Sequence, residues 1–235
     1  MDGRRVVVTR PEGQQEELVE ALRDVGAEPI ELPMITITPS QEGIDELRAA
    51  LARVDDVEWL VVTSPNGARI VSMLHESGTS LPAVAALGAA TAATLGHDVE
   101  FVASRAIASV LVDEFPVGAG RVIVVQGNLA DDTVSSGLAS KGWTVVRCDV
   151  YRTADAEISE ADRVRAEGAD AVIFASGSAV RNWTRTFGNT FGGVVVVIGP
   201  VTQGVAEAQG IHVAAVADEP TPVGIVRALS ALFSQ

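Results

Sequence analysis

The sequence predicts an α/β protein built from two doubly wound, parallel-sheet domains, and three observations predict it. Short Val-rich runs alternate with amphipathic segments, the signature of βαβ units. Blocks of the first half recur in the second half in the same order. Polar and glycine-containing turns follow the strand candidates, where open α/β sheets collect their ligands.

The repeat carries the most information. Arg5-Val6-Val7-Val8-Thr9 and the run to Leu32 match Arg121-Val122-Ile123-Val124-Val125 and the run to Cys148 at a constant offset of 116. Leu22/Leu138 and Gly26/Gly142 are identical across that pair. Val61-Val62-Thr63-Ser64-Pro65-Asn66 returns as Ile173-Phe174-Ala175-Ser176-Gly177-Ser178 at offset 112. Ala86-Leu87-Gly88-Ala89-Ala90-Thr91 returns as Val197-Ile198-Gly199-Pro200-Val201-Thr202 at offset 111. So long a period indicates two like domains rather than a solenoid. In a chain of 235 residues, each has about 110–120. Two such domains form a cleft, and clefts take small molecules.

The elements follow from local pattern. Short Val-rich runs of four to six residues, alternating with the amphipathic segments, give strand candidates at 5–9, 28–32, 58–62, 84–88, 99–102, 121–125, 144–148, 171–174, 194–198 and 212–216. Leu18, Leu22 and Val25, at i, i+4 and i+7, place a helix after the first strand. Similar patterns place helices near 42–53, 66–76, 90–96, 106–115, 130–140, 159–167, 178–186, 201–209 and 222–233. Ten strands in two domains gives five each, the size of a flavodoxin-like sheet. Two segments stand outside the alternation, Pro33–Pro39 and Asp149–Thr153, each just after its first block. Prolines bracket the one and β-branched and aromatic residues fill the other, so both read as extended linkers near 33–39 and 149–153. Whether the first block packs with the blocks that follow it or with the distant half is left open by the repeat.

Composition narrows the function. A hydrophobic fraction of 47% with only 4% aromatics suits buried parallel strands under close-packed helices. Cys148 is the single cysteine, so a reducing compartment, the cytoplasm, is expected. The N-terminus has no apolar signal core, and no apolar run approaches the ~18 residues of a spanning helix. A net charge of −14 argues against nucleic acid, which needs a positive footprint. A soluble monomer with a small-molecule partner, no nucleic acid and no membrane is expected.

Candidate chemistry sits at the turns Thr9-Arg10-Pro11, Thr63-Ser64-Pro65-Asn66-Gly67, Gly88, Gln126-Gly127-Asn128, Ser176-Gly177-Ser178 and Gly199-Pro200-Val201-Thr202. Helix N-termini there bind anions. The bland explanation for Ser64, Ser176, Thr91 and Thr202 is that they cap their own helices. His75, His97 and His212 lack ligand spacing, so no metal is expected. No Gly-x-Gly-x-x-Gly, Walker loop or Gly-x-Ser-x-Gly elbow occurs. Cys148 falls in a strand and reads as packing, as do Trp59, Trp143 and Trp183. Asp131-Asp132 reads as the start of a helix, favoured by its dipole. Tyr151, the only tyrosine, lies on the second linker. Its phenol can donate a proton, or its ring can simply anchor the linker.

Taken in order, these residues resemble the uroporphyrinogen-III synthase family. The resemblance is carried by Val7-Val8-Thr9-Arg10-Pro11, Thr63-Ser64-Pro65-Asn66-Gly67, Gly88-Ala89-Ala90-Thr91-Ala92, Tyr151-Arg152-Thr153, Ala175-Ser176-Gly177-Ser178-Ala179-Val180 and Gly199-Pro200-Val201-Thr202. It implies two flavodoxin-like domains joined by a two-stranded linker, one of residues 1–35 and 152–235 and the other of 38–148. It implies a lyase without cofactor or metal that closes hydroxymethylbilane into uroporphyrinogen III, inverting ring D and losing water. Tyr151 would then be catalytic, with Thr9, Arg10, Ser64, Asn66, Thr91, Ser176, Ser178 and Thr202 on the substrate carboxylates. Two places depart from the family pattern. Gln126-Gly127-Asn128 stands where members often carry arginines around a glycine, and Ala175 replaces a hydroxyl residue. The alternative they leave is a non-catalytic bilobed sensor of a tetrapyrrole or other small ligand.

Overall fold

A computed structural model describes residues 1–53, 58–96 and 98–234, so His97 lies outside the described residues. In chain order the elements are β1 (Arg5–Val8), α1 (Glu16–Asp24), β2 (Glu28–Glu31), β3 (Ile35–Pro39), α2 (Gln41–Leu51), β4 (Trp59–Val62) and α3 (Pro65–Glu76). Then come β5 (Ala83–Ala86), α4 (Ala89–Leu95), β6 (Phe101–Val102), α5 (Ala108–Glu114), β7 (Arg121–Gly127), α6 (Thr133–Ser140) and β8 (Thr144–Asp155). The chain ends with α7 (Glu160–Glu167), β9 (Ala171–Phe174), α8 (Gly177–Phe187), β10 (Val194–Val197), α9 (Pro200–Ala208), β11 (Ala215–Val216) and α10 (Pro222–Phe233). The fold is mixed α/β with parallel sheets.

Contacts divide the chain into two compact units, residues 1–36 with 154–235 and residues 37–153. The first holds a five-stranded sheet in the order β11-β10-β9-β1-β2. The second holds a six-stranded sheet in the order β3-β8-β7-β4-β5-β6. The first sequence block pairs with the distant half. β1 lies parallel to β9, with Val6, Val7 and Val8 opposite Ala171, Val172 and Ile173. The matching block from the second half does the converse, with Val122, Ile123 and Val124 of β7 opposite Trp59, Leu60 and Val61 of β4. Converted by the repeat offsets, these two registers are the same. So are β1–β2 and β7–β8, where Arg5 faces Glu28 and Arg121 faces Thr144.

Period-two alternation then sends successive valines to opposite faces of each sheet. In the first unit, Val7, Val172, Phe174, Val195 and Val197 pack under α8 and α9, while Val6, Val8, Ile173 and Val196 pack under α1 and α10. In the second, Leu60, Val62, Ile123 and Val125 meet α2, α3 and α4, and Val61, Val122 and Val124 meet α5 and α6. Both faces are covered, which explains the near-continuous apolar strands. The few aromatics are concentrated. Phe115 makes edge contacts with Trp59, Phe101 and Trp143, at centroid separations of 5.3, 5.5 and 5.9 Å. Buried Trp183 touches Phe174, Phe187 and Phe191.

Several elements differ from expectation, each for a local reason. The strand expected at 212–216 begins only at Ala215, because the Ile211 amide is used to close α9 on Ala206 (2.9 Å). The helix expected from 130 begins at Thr133, whose N–H donates to the Asp131 carboxylate (2.9 Å) after a turn closed by Ala130 N–H on the Gly127 carbonyl (3.0 Å). The strand at 144–148 does not stop. It continues through the expected linker to Asp155 as one strand of 12 residues. The other expected linker forms β3 at the sheet edge beside it, a position that tolerates Pro39. Ser40 N–H donates to Val150 O (2.8 Å) and Ala156 N–H to Met34 O (3.1 Å). One partner rises in number as the other falls, so β3 runs antiparallel to β8.

Cys148 is buried in β8 against α2. Burial, helped by Glu46 and Asp149, pushes its thiol up from 9.0 to about 12. The folded thiol therefore stays protonated where the unfolded one ionises, so stability is held below pH 9 and lost as pH rises from 9 toward about 12. Titrating the native protein at pH 8 with an aromatic disulfide should release no thiol signal until denaturant is added. The alkaline fall in unfolding midpoint should be shallower in Cys148→Ala.

Candidate functional site

The expected site residues lie at the carboxyl ends of the strands, and each unit presents the same construction. After β4, Ser64 is the N-cap of α3, its Oγ accepting from Gly67 N–H at 3.1 Å, with Pro65 at the first helical position. After β9, Ser176 is the N-cap of α8, its Oγ accepting from Ala179 N–H at 3.2 Å. Both serines are thus caps, as their residue type favours. Thr91 and Thr202 are not. Gly88 and Gly199 hold the N-cap positions of α4 and α9, which places each threonine at the third helical residue. Thr91 and Thr202 are buried there at 4% and 5% exposure. The serine caps of α3 and α8, and the glycine caps and third-position threonines of α4 and α9, therefore match between units.

Thr9 and Arg10 follow β1. Thr9 is buried and donates its single hydroxyl proton to the Ile173 carbonyl (2.7 Å), so its side chain ties β1 to β9. Arg10 is half-buried, with Nη1 donating to the Gln14 carbonyl at 3.3 Å. Its Nε is buried with no hydrogen-bond partner among the described residues. Burial pushes this guanidinium below its ordinary value, opposed by the charge of Glu17. A buried guanidinium N–H without an acceptor is costly, and a carboxylate is the acceptor that fits it best.

Two arginines that were not among the expected residues complete the pattern. Arg69 Nη1 donates to Asn66 Oδ1 at 2.9 Å, and Arg181 Nη2 donates to Ser178 Oγ at 3.3 Å. They occupy equivalent positions, since the offset of 112 that relates Ser64 to Ser176 and Asn66 to Ser178 also relates Arg69 to Arg181. Extending that block by three residues would have found them. Side chains on a helix lean toward its N-terminus, so each guanidinium is brought back beside the first turn. A cation there opposes the helix dipole. Among the described residues neither arginine forms an ion pair, although the chain has 31 acidic residues.

Tyr151 lies on β8 with its ring packed against the α2–α3 side of the second unit's core. Among the described residues its hydroxyl has no hydrogen-bond partner. The turn Gln126-Gly127-Asn128 lies beside it, with Gly127 opposite Tyr151. Buried Gln126, with its amide oriented to suit its neighbours, accepts from Arg147 Nε (2.8 Å) and Nη2 (3.1 Å). Arg147 also donates to Asp149 (2.9 and 3.1 Å), to Ala130 O (3.2 Å) and to Asp132. Arg147 therefore stands beside this turn, but its charge is spent on Asp149 and Asp132. Among the described residues, no three His, Cys, Asp or Glu side chains are grouped to hold a metal ion, and no helix is long and apolar enough to cross a membrane.

These features define a mixed α/β protein with parallel sheets and with capped helix N-termini at the ends of its strands. It belongs to the uroporphyrinogen-III synthase family, whose model, described as Uroporphyrinogen-III synthase HemD, matches residues 16–227. The chain is 27% identical over 223 residues to the chloroplastic uroporphyrinogen-III synthase of Oryza sativa subsp. japonica, covering 88% of this chain and 73% of that one. It is 27% identical over 208 residues to the uroporphyrinogen-III synthase of Synechococcus elongatus, covering 81% and 77%. Its fold is similar to that of a mutant uroporphyrinogen III synthase from the extremely thermophilic bacterium Thermus thermophilus, with a TM-score of 0.69 at 17% identity over 99% of this chain and 100% of that one. It is also similar to the Helicobacter pylori 26695 uroporphyrinogen-III synthetase, with a TM-score of 0.66 at 16% identity over 97% and 99%.

Replacing either cap, by Ser64→Ala or Ser176→Ala, should lower the stability of the protein by about 1 kcal/mol. Denaturant titration checks it, the midpoint falling with the slope unchanged.

Proposed function

We infer that this chain closes hydroxymethylbilane into uroporphyrinogen III, inverting ring D and releasing water, as a cyclising lyase of tetrapyrrole biosynthesis that works without cofactor or metal. Family membership over residues 16–227 carries the reading. The placement of Tyr151 supports the chemistry. The departing hydroxyl needs a proton, and the carbon it leaves becomes an azafulvenium cation. In our reading the Tyr151 phenol gives that proton, forming water. Ring D attacks that cation through its already substituted α-carbon, and the bond from that carbon to its bridging methylene breaks, leaving a second azafulvenium. The unsubstituted α-carbon of the turned ring then bonds to that methylene and loses its proton to the phenolate. Atoms and charge balance at the loss of one water.

The substrate has eight carboxylates, and this chain has one lysine. We propose that backbone N–H groups and hydroxyls at the strand ends hold them. Arg10, Ser176, Ser178 and Thr202 serve in the first unit, and Ser64, Asn66 and Thr91 in the second. Thr9, its proton engaged, steadies the strand end next to Arg10. Arg69 and Arg181 supply the cationic charge that the turn at Gln126 lacks. The strand order supports reading each unit as a flavodoxin-like domain, because β2-β1-β9-β10-β11 and β8-β7-β4-β5-β6 both follow the flavodoxin plan of 2-1-3-4-5 once β1 and β7 are taken as first strands. The antiparallel β3 and the far end of β8 would then be the two-stranded linker. We place the protein in the cytoplasm as a monomer that binds neither nucleic acid nor membrane.

Supplying hydroxymethylbilane and identifying the isomer tests the function. Type III product is expected, whereas type I alone, the product of spontaneous closure, would refute it. Tyr151→Phe should lower kcat on the order of 10²–10⁴-fold. Arg69→Gln and Arg181→Gln should each raise KM by about tenfold, a loss of one charged hydrogen bond, with kcat nearly unchanged.

A further inference from the structure

The pairing of β7 with β8 is regular from Arg121 opposite Thr144 to Gln126 opposite Asp149, and then it breaks. Gly127 faces Tyr151, so one step on β7 matches two on β8 and Val150 is the extra residue of a β-bulge. A bulge changes which face the next side chain takes. Val146, Cys148 and Val150 all point to the α2–α3 core by alternation, and regular alternation would turn Tyr151 away from it. The ring instead packs on that same core.

Gly127 makes room for it. A Cβ built there would overlap Cε2 and Cζ of Tyr151 and stand 2.8 Å from its hydroxyl oxygen. The backbone of Gly127 is outside the left-handed region, so the space, not the conformation, calls for glycine. Asn128 fastens the backbone at Tyr151 and just beyond it. Its N–H donates to Tyr151 O (3.1 Å), and its Oδ1 accepts from Thr153 N–H (2.8 Å). The duplication fails here. Carried on at offset 116, the residues matching Gly127, Asn128 and Tyr151 are Pro11, Glu12 and Ile35. The glycine, the asparagine and the phenol are thus not repeated in the first unit.

We propose that Gly127 and Asn128 are positioning residues for Tyr151, the first by leaving the ring its place and the second by locking the bulged backbone that carries it. This rests on the catalytic role given to Tyr151 above. The test uses the full chain and two readouts. With ring-labelled tyrosine, the one tyrosine of the sequence gives a single set of NMR ring signals. Gly127→Ala should shift those signals, retain the unfolding midpoint within that of a surface change, and lower kcat on the order of 10²-fold, the effect of misplacing a reacting group by about 1 Å. In a Tyr151→Phe background the same substitution should leave the residual rate unchanged. Asn128→Ala should lower kcat in the same way, and Asn128→Asp, which keeps the accepting oxygen, should restore most of it. Independent multiplication of the Gly127 and Tyr151 effects would overturn the proposal, and so would unmoved ring signals in both Gly127→Ala and Asn128→Ala. A Tyr151→Phe protein with full kcat would instead remove the catalytic reading, while the ring signals would still decide the contact.

Discussion

The pairing of β1 with β9 and of β7 with β4 is the constraint on which the rest of the structure depends. Each sheet takes its central pair from opposite halves of the sequence. The chain must therefore leave the first unit after one block and return to it after the matching block. It does so within β3 and within β8, and that requirement makes β8 twelve residues long. The same requirement makes the second crossing a continuation of a sheet strand, with Tyr151 at a fixed register beside Gly127. A flexible connector would give a phenol no such register. Hydrogen bonding at the strand starts repeats the pattern, with Asp170 N–H on Arg5 O and Glu58 N–H on Arg121 O, both at 2.9 Å.

Duplication and divergence separate two kinds of feature. What both units keep is the anion-favouring apparatus: capped helix starts, glycine N-caps before α4 and α9, and an arginine folded back on each of α3 and α8. A chain of net charge −14 can hold a polyanion only through such local arrangements, because its overall field repels one. What the repeat does not carry into the first unit is the tyrosine, the glycine facing its ring and the asparagine that fastens its strand. Shared features suit carboxylates, which occur all round the substrate. The unshared ones suit the delivery of a proton to a single hydroxyl.

Much of the fold was legible because Val-rich runs such as Val194–Val197 have few other uses than a buried parallel strand. The partner of β1 was not legible, since β4 and β9 are both short apolar strands buried on two faces, and the sequence pattern does not choose between them. The starts of α4 and α9 were legible to within a residue, but their caps were not, since glycine and not threonine holds the N-cap at Gly88 and Gly199. The bulge left no trace, because Cys148-Asp149-Val150-Tyr151 alternates as any strand does. Arg147 looked like an ordinary strand residue, and its four partners come from the end of β7, from the turn before α6 and from its own strand. The arginines of α3 and α8 were legible in the repeat and simply lay three residues beyond the matched block.

The exchange of blocks is open to direct measurement by scalar coupling across hydrogen bonds in NMR. The account predicts coupling of the Asp170 amide nitrogen to the Arg5 carbonyl carbon, and of the Glu58 nitrogen to the Arg121 carbonyl carbon. Coupling of Glu58 to Arg5 and of Asp170 to Arg121 would mean that each half folds on itself, and would contradict it.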